Sequence, residues 1–101
     1  MAKEGNEGPY FYVEHTSDLT DRALVIEFED QFGAGVFLAR NVEIEAPDTN
    51  SKNVEYTFKK GIPYEEIEPN TTREWRDFGK GMRRIYVKMG STSDKLRIRA
   101  W

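Results

Sequence analysis

The stretch REWRDFGKGMRRIYVKMGSTSDKLRIRAW, residues 73–101, decides the fold of this chain. It holds both tryptophans and two segments, 82–89 and 94–101, in which apolar and polar residues alternate. A period of two is the pattern of a strand with one buried face. Residues 72–78 form a third candidate strand, although 74–78 would also fit one helical turn. The last third of the chain therefore predicts a series of short strands joined by glycine-rich and serine-rich turns.

Further candidate strands lie upstream, in residues 10–15, 23–29, 36–46 and 54–58. The first is rich in aromatic residues, and alternation marks 24–29, 42–46 and 54–58. In the clearest of these segments, Leu24, Ile26 and Phe28 would face the core. Residues 36–46 fit either one long strand or two short ones. Between 59 and 71 we expect an irregular stretch, because glycine and prolines interrupt it. Its predicted core anchors are Ile62, Tyr64 and Ile67.

Composition and turn spacing define the fold class. The chain has 101 residues, which fits one domain, and it contains no cysteine. Turn signals recur every 8 to 12 residues or so, as in sandwiches and barrels. We expect an all-β fold, a single antiparallel β-sandwich or jelly-roll-like barrel of about 7–8 strands. The domain would span residues 10–101, and the polar residues 1–9 would form a flexible N-terminal arm.

The net charge of −3 conceals a strong polarity along the chain. Residues 1–70 carry 15 Asp and Glu against 6 Lys and Arg, whereas residues 71–101 carry 3 against 9. Matching apolar faces predicts two hairpins, one joining 82–89 to 94–101 and one joining 42–46 to 54–58. The first hairpin would have a basic outer face and would place Lys88 opposite Lys95, which is unfavourable. The second would have an acidic outer face. The candidate contact residues on the two faces are Arg84, Tyr86, Lys88, Arg97 and Arg99, and Glu43, Glu45 and Glu55.

Three interpretations of these faces stay open. The two hairpins could lie side by side in one sheet and neutralise each other within the chain. They could meet across a subunit boundary, as in a head-to-tail ring. The basic face could instead bind an external anion.

The sequence contains no pattern typical of a catalytic site or a metal site. His15 is the sole histidine, and neither a catalytic residue nor a metal ligand set stands out. We predict no enzyme activity, no cofactor and no metal. Trp75, Trp101 and the tyrosines could form a sugar-stacking platform, so a carbohydrate-binding module is the alternative function. Nucleic acid is not an expected partner, because the chain is acidic overall, with a pI near 5.2.

The sequence shows neither a membrane-spanning segment nor a signal peptide. No run of 18 apolar residues occurs, so we expect no membrane partner. Residues 1–9 lack the apolar region of a signal peptide, so we expect synthesis in a cytoplasm without export by that route.

Three segments of the chain carry a family resemblance: residues 70–75 (NTTREW), 83–88 (RRIYVK) and 96–101 (LRIRAW). They resemble small head-decoration, or capsid cement, proteins of tailed bacteriophages. In those proteins a Thr-Arg-Glu-Trp type segment precedes a strand of the Arg-Arg-Ile-Tyr-Val type, and a short strand ending in Trp closes the chain. The resemblance covers the last third of this sequence.

The resemblance implies a structural protein of the virion with a β-sandwich fold. Such proteins bind the major capsid protein, commonly as homotrimers over capsid junctions, and use terminal arms to hold neighbouring subunits. We therefore expect a non-enzymatic capsid decoration protein that is made in the host cytoplasm and ends up in the virion. In this interpretation the charged faces mediate assembly, and the Met1–Pro9 arm clamps the capsid.

Overall fold

The regular structure of this chain consists of short β-strands. The computed structural model describes residues 8–18 and 23–101, and these residues form no helix. The strands are β1 (Phe11–Thr16), β2 (Ala23–Glu27), β3 (Glu29–Asp30), β4 (Gly35–Val36), β5 (Val42–Ala46), β6 (Val54–Thr57), β7 (Glu65–Ile67), β8 (Thr71–Trp75), β9 (Arg84–Lys88) and β10 (Lys95–Ala100).

Eight of the strands form two four-stranded antiparallel sheets. Sheet one has the order β1-β10-β5-β8, and sheet two has the order β2-β9-β6-β7. Strands β3 and β4 form a separate two-stranded ribbon. Among the eight, consecutive strands lie in different sheets at every step except from β6 to β7. This alternation is the arrangement of a jelly roll. The predicted all-β fold of about 7–8 antiparallel strands is thereby confirmed.

Both predicted hairpins are wrong. Strand β9 belongs to sheet two and β10 to sheet one, so they do not pair with each other, and the same holds for β6 and β5. Strand β10 pairs instead with β1 and β5, and β9 pairs with β2 and β6. The segments that follow β5 and β9 are therefore corners that cross from one sheet to the other.

Two buried polar side chains hold these corners together. The side-chain amide of Asn50 donates to the carbonyl of Lys95 at 2.8 Å, and the backbone N–H of Lys95 donates to Asn50 Oδ1 at 2.7 Å. The Asp94 carboxylate accepts from the backbone N–H groups of Ser51 at 2.9 Å and Lys52 at 3.1 Å. Buried backbone groups must find partners. These contacts supply them at the corners without a hairpin turn.

The core lies between the two sheets and is filled by the inward side chains of their central strands. Ile44 and Ile98 are partners across β5 and β10 and are fully buried. Ile85 and Val87 on β9 are buried opposite them in the second sheet, and Phe28 closes the core next to β2. Burial of one such side chain contributes roughly 1.5–3 kcal/mol.

Several local predictions can be checked. Leu24, Ile26 and Phe28 face the core as predicted. The stretch expected to be irregular contains β7, and Ile67 on that strand is fully buried. Ile62 is 51% exposed, so its assignment as a core anchor is wrong. Its side chain instead lines an open cleft beside Trp75. Residues 71–75 form a strand, so the helical alternative for 74–78 does not hold at its start.

The predicted arm falls largely outside the residues that the structure describes. Of residues 1–9, only Gly8 and Pro9 are described, and both are exposed. The arm and the boundary at residue 10 stay predictions.

Candidate functional site

The outer face of sheet one carries a ladder of ion pairs across β1, β10 and β5. Arg97 lies between two carboxylates, with Nε 2.7 Å from Glu14 Oε2 and Nη1 3.1 Å from Glu45 Oε2. One step along β10, Arg99 Nη1 lies 3.0 Å from Glu43 Oε1. The strand register brings these residues side by side. Oppositely charged residues that lie 52 to 83 positions apart in the sequence thus neutralise each other within one chain.

The electrostatics of this ladder are those of a partly exposed surface. The hydrogen bond from Arg97 holds the pKa of the Glu14 carboxyl below its usual value, and the same contact raises the pKa of Arg97. The side chains of the ladder are 22–38% exposed. Ion pairs in such surroundings contribute little to stability. Their main consequence here is that the face offers few unpaired charges to a partner.

The other predicted contact residues lie on the outer face of sheet two. Arg84 Nη2 is 3.3 Å from Glu27 Oε2, and the Lys88 ammonium is 4.5 Å from the centre of the Tyr64 ring. Glu55 is the cross-strand neighbour of Lys88. The fold therefore divides the predicted basic face between two opposite sides of the molecule. Arg84, Tyr86 and Lys88 lie on one side and Arg97 and Arg99 on the other.

The two tryptophans also lie in different surroundings. Trp75 packs edge-on against Phe58, with ring centres 5.0 Å apart, and against Tyr56 at 5.4 Å. Trp101 lies 6.4 Å from Tyr10, and the Arg76 guanidinium stacks on its ring at 4.8 Å. The two indoles share no ring contact, so they do not form the joint platform that the sequence suggested.

Trp75 lines a small cleft beside the end of β6. The cleft has a volume of about 230 Å³ and also contacts Thr57, Lys59 and Glu65. At its base, the Tyr56 hydroxyl donates to Glu65 Oε1 at 3.3 Å and accepts from Arg73 Nη1 at 3.2 Å. Burial raises the pKa of the Tyr56 phenol. An aromatic wall next to polar side chains is a combination that small polar ligands can use. We call this the tryptophan cleft; its lining is Tyr56, Thr57, Phe58, Lys59, Ile62, Pro63, Glu65 and Trp75.

A surface that sequence reasoning missed lies at the ribbon formed by β3 and β4. Phe32 is 76% exposed in the turn of the ribbon, and Val36 and Leu38 follow it at 41% and 53%. We call these three residues the apolar tip. Exposed side chains of this size on one short segment are typical of contact surfaces. The sequence carried one sign of this surface, which is that Phe32 occupies a turn. A residue that served only to reverse the chain would be expected to be polar.

The apolar tip is held in place by a buried carboxylate. Asp30, which is 8% exposed, accepts hydrogen bonds from the backbone N–H groups of Tyr10 and Ala34, both at 3.0 Å. These hydrogen bonds lower the pKa of Asp30. Phe37 turns inward between the exposed residues, and its N–H donates to the carbonyl of Phe28 at 3.1 Å. These hydrogen bonds therefore fix the position of the apolar tip relative to the rest of the fold.

Residues 8–18 and 23–101 contain no group of three or more histidine, cysteine, aspartate or glutamate side chains arranged to hold a metal ion. The same ranges contain no helix of the length and hydrophobicity needed to cross a membrane.

Comparisons with known proteins give no match. No protein-family model matches the chain, and neither the curated proteins nor the solved structures contain a significantly similar one.

Proposed function

We propose that this chain is a non-enzymatic structural protein of a virion that decorates a phage capsid by binding its major capsid protein. The resemblance of three segments in the last third of the chain to head-decoration proteins supports this class of partner. The jelly-roll fold supports it as well, because viral capsid proteins commonly use that architecture. The proposal includes a homotrimer, as such proteins commonly form.

The apolar tip carries the proposal. Phe32 lies in the turn between β3 and β4, Val36 lies on β4 and Leu38 follows it, and all three present apolar surface outside the two four-stranded sheets. An aromatic side chain at the centre of an apolar contact is the usual anchor of a protein interface. We assign the tip to the contact with the capsid. The charged ladder is then not the principal interface, because its charges are already paired within the chain.

A multivalent arrangement would compensate for the small size of one tip. A single exposed segment of this length buries less surface than a stable interface needs. Several copies that bind together gain avidity without any additional contact. A trimer that presents three tips to a symmetric junction of the capsid would satisfy this requirement.

Binding to undecorated phage heads tests the proposal. Purified protein is mixed with heads, the heads are sedimented, and the bound fraction is measured against protein concentration. We expect Phe32→Ser to weaken binding at least about tenfold, because an interface anchor contributes on the order of 2 kcal/mol. Val25→Ser is the matched control, since Val25 is 57% exposed on β2, which belongs to sheet two, outside the ribbon. Equal binding by the Phe32 variant and the wild type would rule out the tip as the contact.

The tryptophan cleft supports a second candidate function, the binding of a carbohydrate. A sugar could pack on Trp75 while its hydroxyl groups bond to Glu65 and Lys59, which line the same cleft. Trp101 has no part in this version, because its ring lies against Tyr10 and Arg76.

A glycan array probed with the folded protein tests this second candidate. Glu65→Gln should abolish any binding that uses the cleft while leaving the melting temperature nearly unchanged, since Glu65 is exposed. Trp101→Phe serves as the control and should leave binding intact. An array without hits, or hits that survive Glu65→Gln, would exclude the cleft as a sugar site.

A further inference from the structure

A second, wider cleft opens next to the start of β9 and combines positive charge with aromatic rings. It has a volume of about 440 Å³, which lies within the range of small-ligand sites. We call it the basic cleft, and its lining residues are Phe58, Lys59, Lys60, Arg83, Arg84 and Tyr86.

Strand pairing brings these residues together from two parts of the sequence. Strands β6 and β9 are antiparallel, with Thr57 opposite Tyr86. Residues that follow Thr57 therefore lie beside residues that precede Tyr86. This geometry places the pair Lys59 and Lys60 next to the pair at 83 and 84, although more than twenty positions separate them in the sequence.

The lysine side of the cleft is fixed by a tight turn. The N–H of Ile62 donates to the carbonyl of Lys59 at 3.2 Å, and Gly61 has a φ of 90° at the third position of that turn. A type II turn requires this positive φ, which glycine adopts without strain. The Thr57 hydroxyl adds a bond to the carbonyl of Lys59 at 3.3 Å. Lys60 consequently occupies the projecting corner of a defined turn.

The charges of the cleft are mostly uncompensated. Four cationic side chains line it, and no carboxylate belongs to its lining. Within the described part of the chain, Lys59, Lys60 and Arg83 form no ion pair, and Arg84 has one, to Glu27. The Nε of Arg84 is buried and has no hydrogen-bond partner in the structure. A local group of cations without acids binds anions, whatever the net charge of the whole chain.

We propose that the basic cleft binds a nucleotide unit, either as a free nucleotide or as part of a single strand. The cations would hold the phosphate, and Tyr86 would stack on the base. The Tyr86 ring belongs to none of the aromatic ring pairs among the described residues. Cationic grooves lined with aromatic rings are the recurrent means of binding single-stranded nucleic acid. The acidic net charge is an average over the whole chain and does not describe this cleft. The fold concentrates four positive charges at one place.

Fluorescence anisotropy with a labelled oligothymidylate strand tests this proposal on the full chain, without any capsid. We expect binding whose affinity falls with salt, with a slope of about −0.7 in log K against log salt for each phosphate contact. The double variant Lys60→Gln, Arg83→Gln should weaken binding roughly tenfold and reduce the slope by about 1 to 2. Tyr86→Leu should weaken binding by a similar factor with the slope unchanged, because stacking involves no counterion release.

A charge-matched control separates a site from general electrostatics. The double variant Arg40→Gln, Lys52→Gln removes the same charge from two other exposed positions and should bind like the wild type. Competition with AMP identifies the source of the nucleotide. If AMP binds as tightly as the strand, one unit makes all the contacts and the ligand is a free nucleotide, whereas much tighter binding of the strand assigns the site to a polynucleotide.

Three results would overturn the proposal. The first is the absence of binding at low salt by both the strand and AMP. The second is equal competition by pyrophosphate or polyglutamate at the same charge, which would show that any anion suffices. The third is an equal loss of affinity in the two double variants. Circular dichroism of each variant verifies that a loss of binding does not reflect unfolding.

Discussion

Gly90 lies where the backbone leaves no space for a side chain. A β-carbon at this position would lie 2.5 Å from the carbonyl oxygen of Asn53 and 2.8 Å from the β-carbon of Lys52. The conflict is mainly with backbone, which cannot move away without opening the corner that joins the two sheets. Glycine is thus required here by packing between the segment after β9 and the segment before β6.

We expect Gly90→Ala to lower the free energy of unfolding by about 1–3 kcal/mol, the usual cost of overpacking. Urea denaturation measures the change. Gly79→Ala is the control, because a β-carbon at Gly79 meets no atom within 4 Å, and its stability should stay within about 0.5 kcal/mol of the wild type. Equal stabilities of the two variants would contradict the close packing of the corner.

Asp30 makes stability depend on pH. Hydrogen bonds from the backbone of Tyr10 and Ala34 lower its pKa in the folded state. A lowered pKa means that the carboxylate stabilises the fold above the pKa of the unfolded chain, which is about 4 for aspartate. This contribution is lost as the pH falls through the lower, folded-state pKa. Glu14 acts in the same direction through its bond to Arg97.

We expect Asp30→Asn to be less stable than the wild type at pH 7, and we expect the difference to shrink as the pH falls below about 4. The amide nitrogen cannot accept the second backbone hydrogen bond. Urea unfolding at a series of pH values measures the difference, with Asp48→Asn at an exposed turn as the control. A difference that stays constant with pH would show that the Asp30 carboxylate contributes no charge-dependent stability.

At the scale of the elements, the ladder on sheet one links three strands that are distant in sequence. Arg99 pairs with Glu43 across β10 and β5, and its guanidinium lies 4.9 Å from the centre of the Tyr12 ring on β1. Arg99→Gln should cost up to about 1 kcal/mol at low salt. Added salt should reduce this cost, because it screens the pair.

The same variant separates an internal role of the ladder from a role in assembly. Light scattering after size exclusion should give the same mass for Arg99→Gln and the wild type, with Arg40→Gln as a charge-matched control. Arg40 is exposed and forms no ion pair within the described residues. Dissociation of an oligomer in the Arg99 variant alone would show that the charged face joins subunits.

The strands could be predicted from the sequence, and their pairing could not. Alternation in 82–89 and 94–101 marks two strands, but any two such strands can match their apolar faces. The predicted hairpin placed Lys88 opposite Lys95, and that repulsion was the sign of an incorrect partner. In the structure, β10 lies between two acidic neighbours, which Arg97 contacts at Glu14 and Glu45. The pattern of charged residues therefore indicates which strands pair, whereas the alternation of apolar residues does not.

The candidate sites also depend on strand pairing that the sequence does not reveal. The exposure of Phe32 depends on the ribbon formed by β3 and β4, which only the tertiary structure reveals. The meeting of Lys59 and Lys60 with Arg83 and Arg84 depends on the pairing of β6 with β9. Contacts between distant segments follow from topology, and a sequence pattern with a period of two does not determine topology.

At the scale of the whole molecule, the jelly roll separates surfaces of different character. Sheet one presents paired charges, the outer side of sheet two leads to the basic cleft, and the β3–β4 ribbon presents the apolar tip. A structural protein needs one surface to attach and others that stay solvated. In our account the tip attaches the chain to a capsid, and symmetric copies strengthen that attachment.

The most direct test of this account is a cryo-electron-microscopy reconstruction of phage heads incubated with the protein. We predict density for the jelly roll at the symmetry junctions of the capsid, with Phe32 and Leu38 buried against the major capsid protein. Heads that carry no such density at saturating protein concentration would contradict the proposed function. Density in which the β3–β4 ribbon points into solvent would contradict the assignment of the apolar tip.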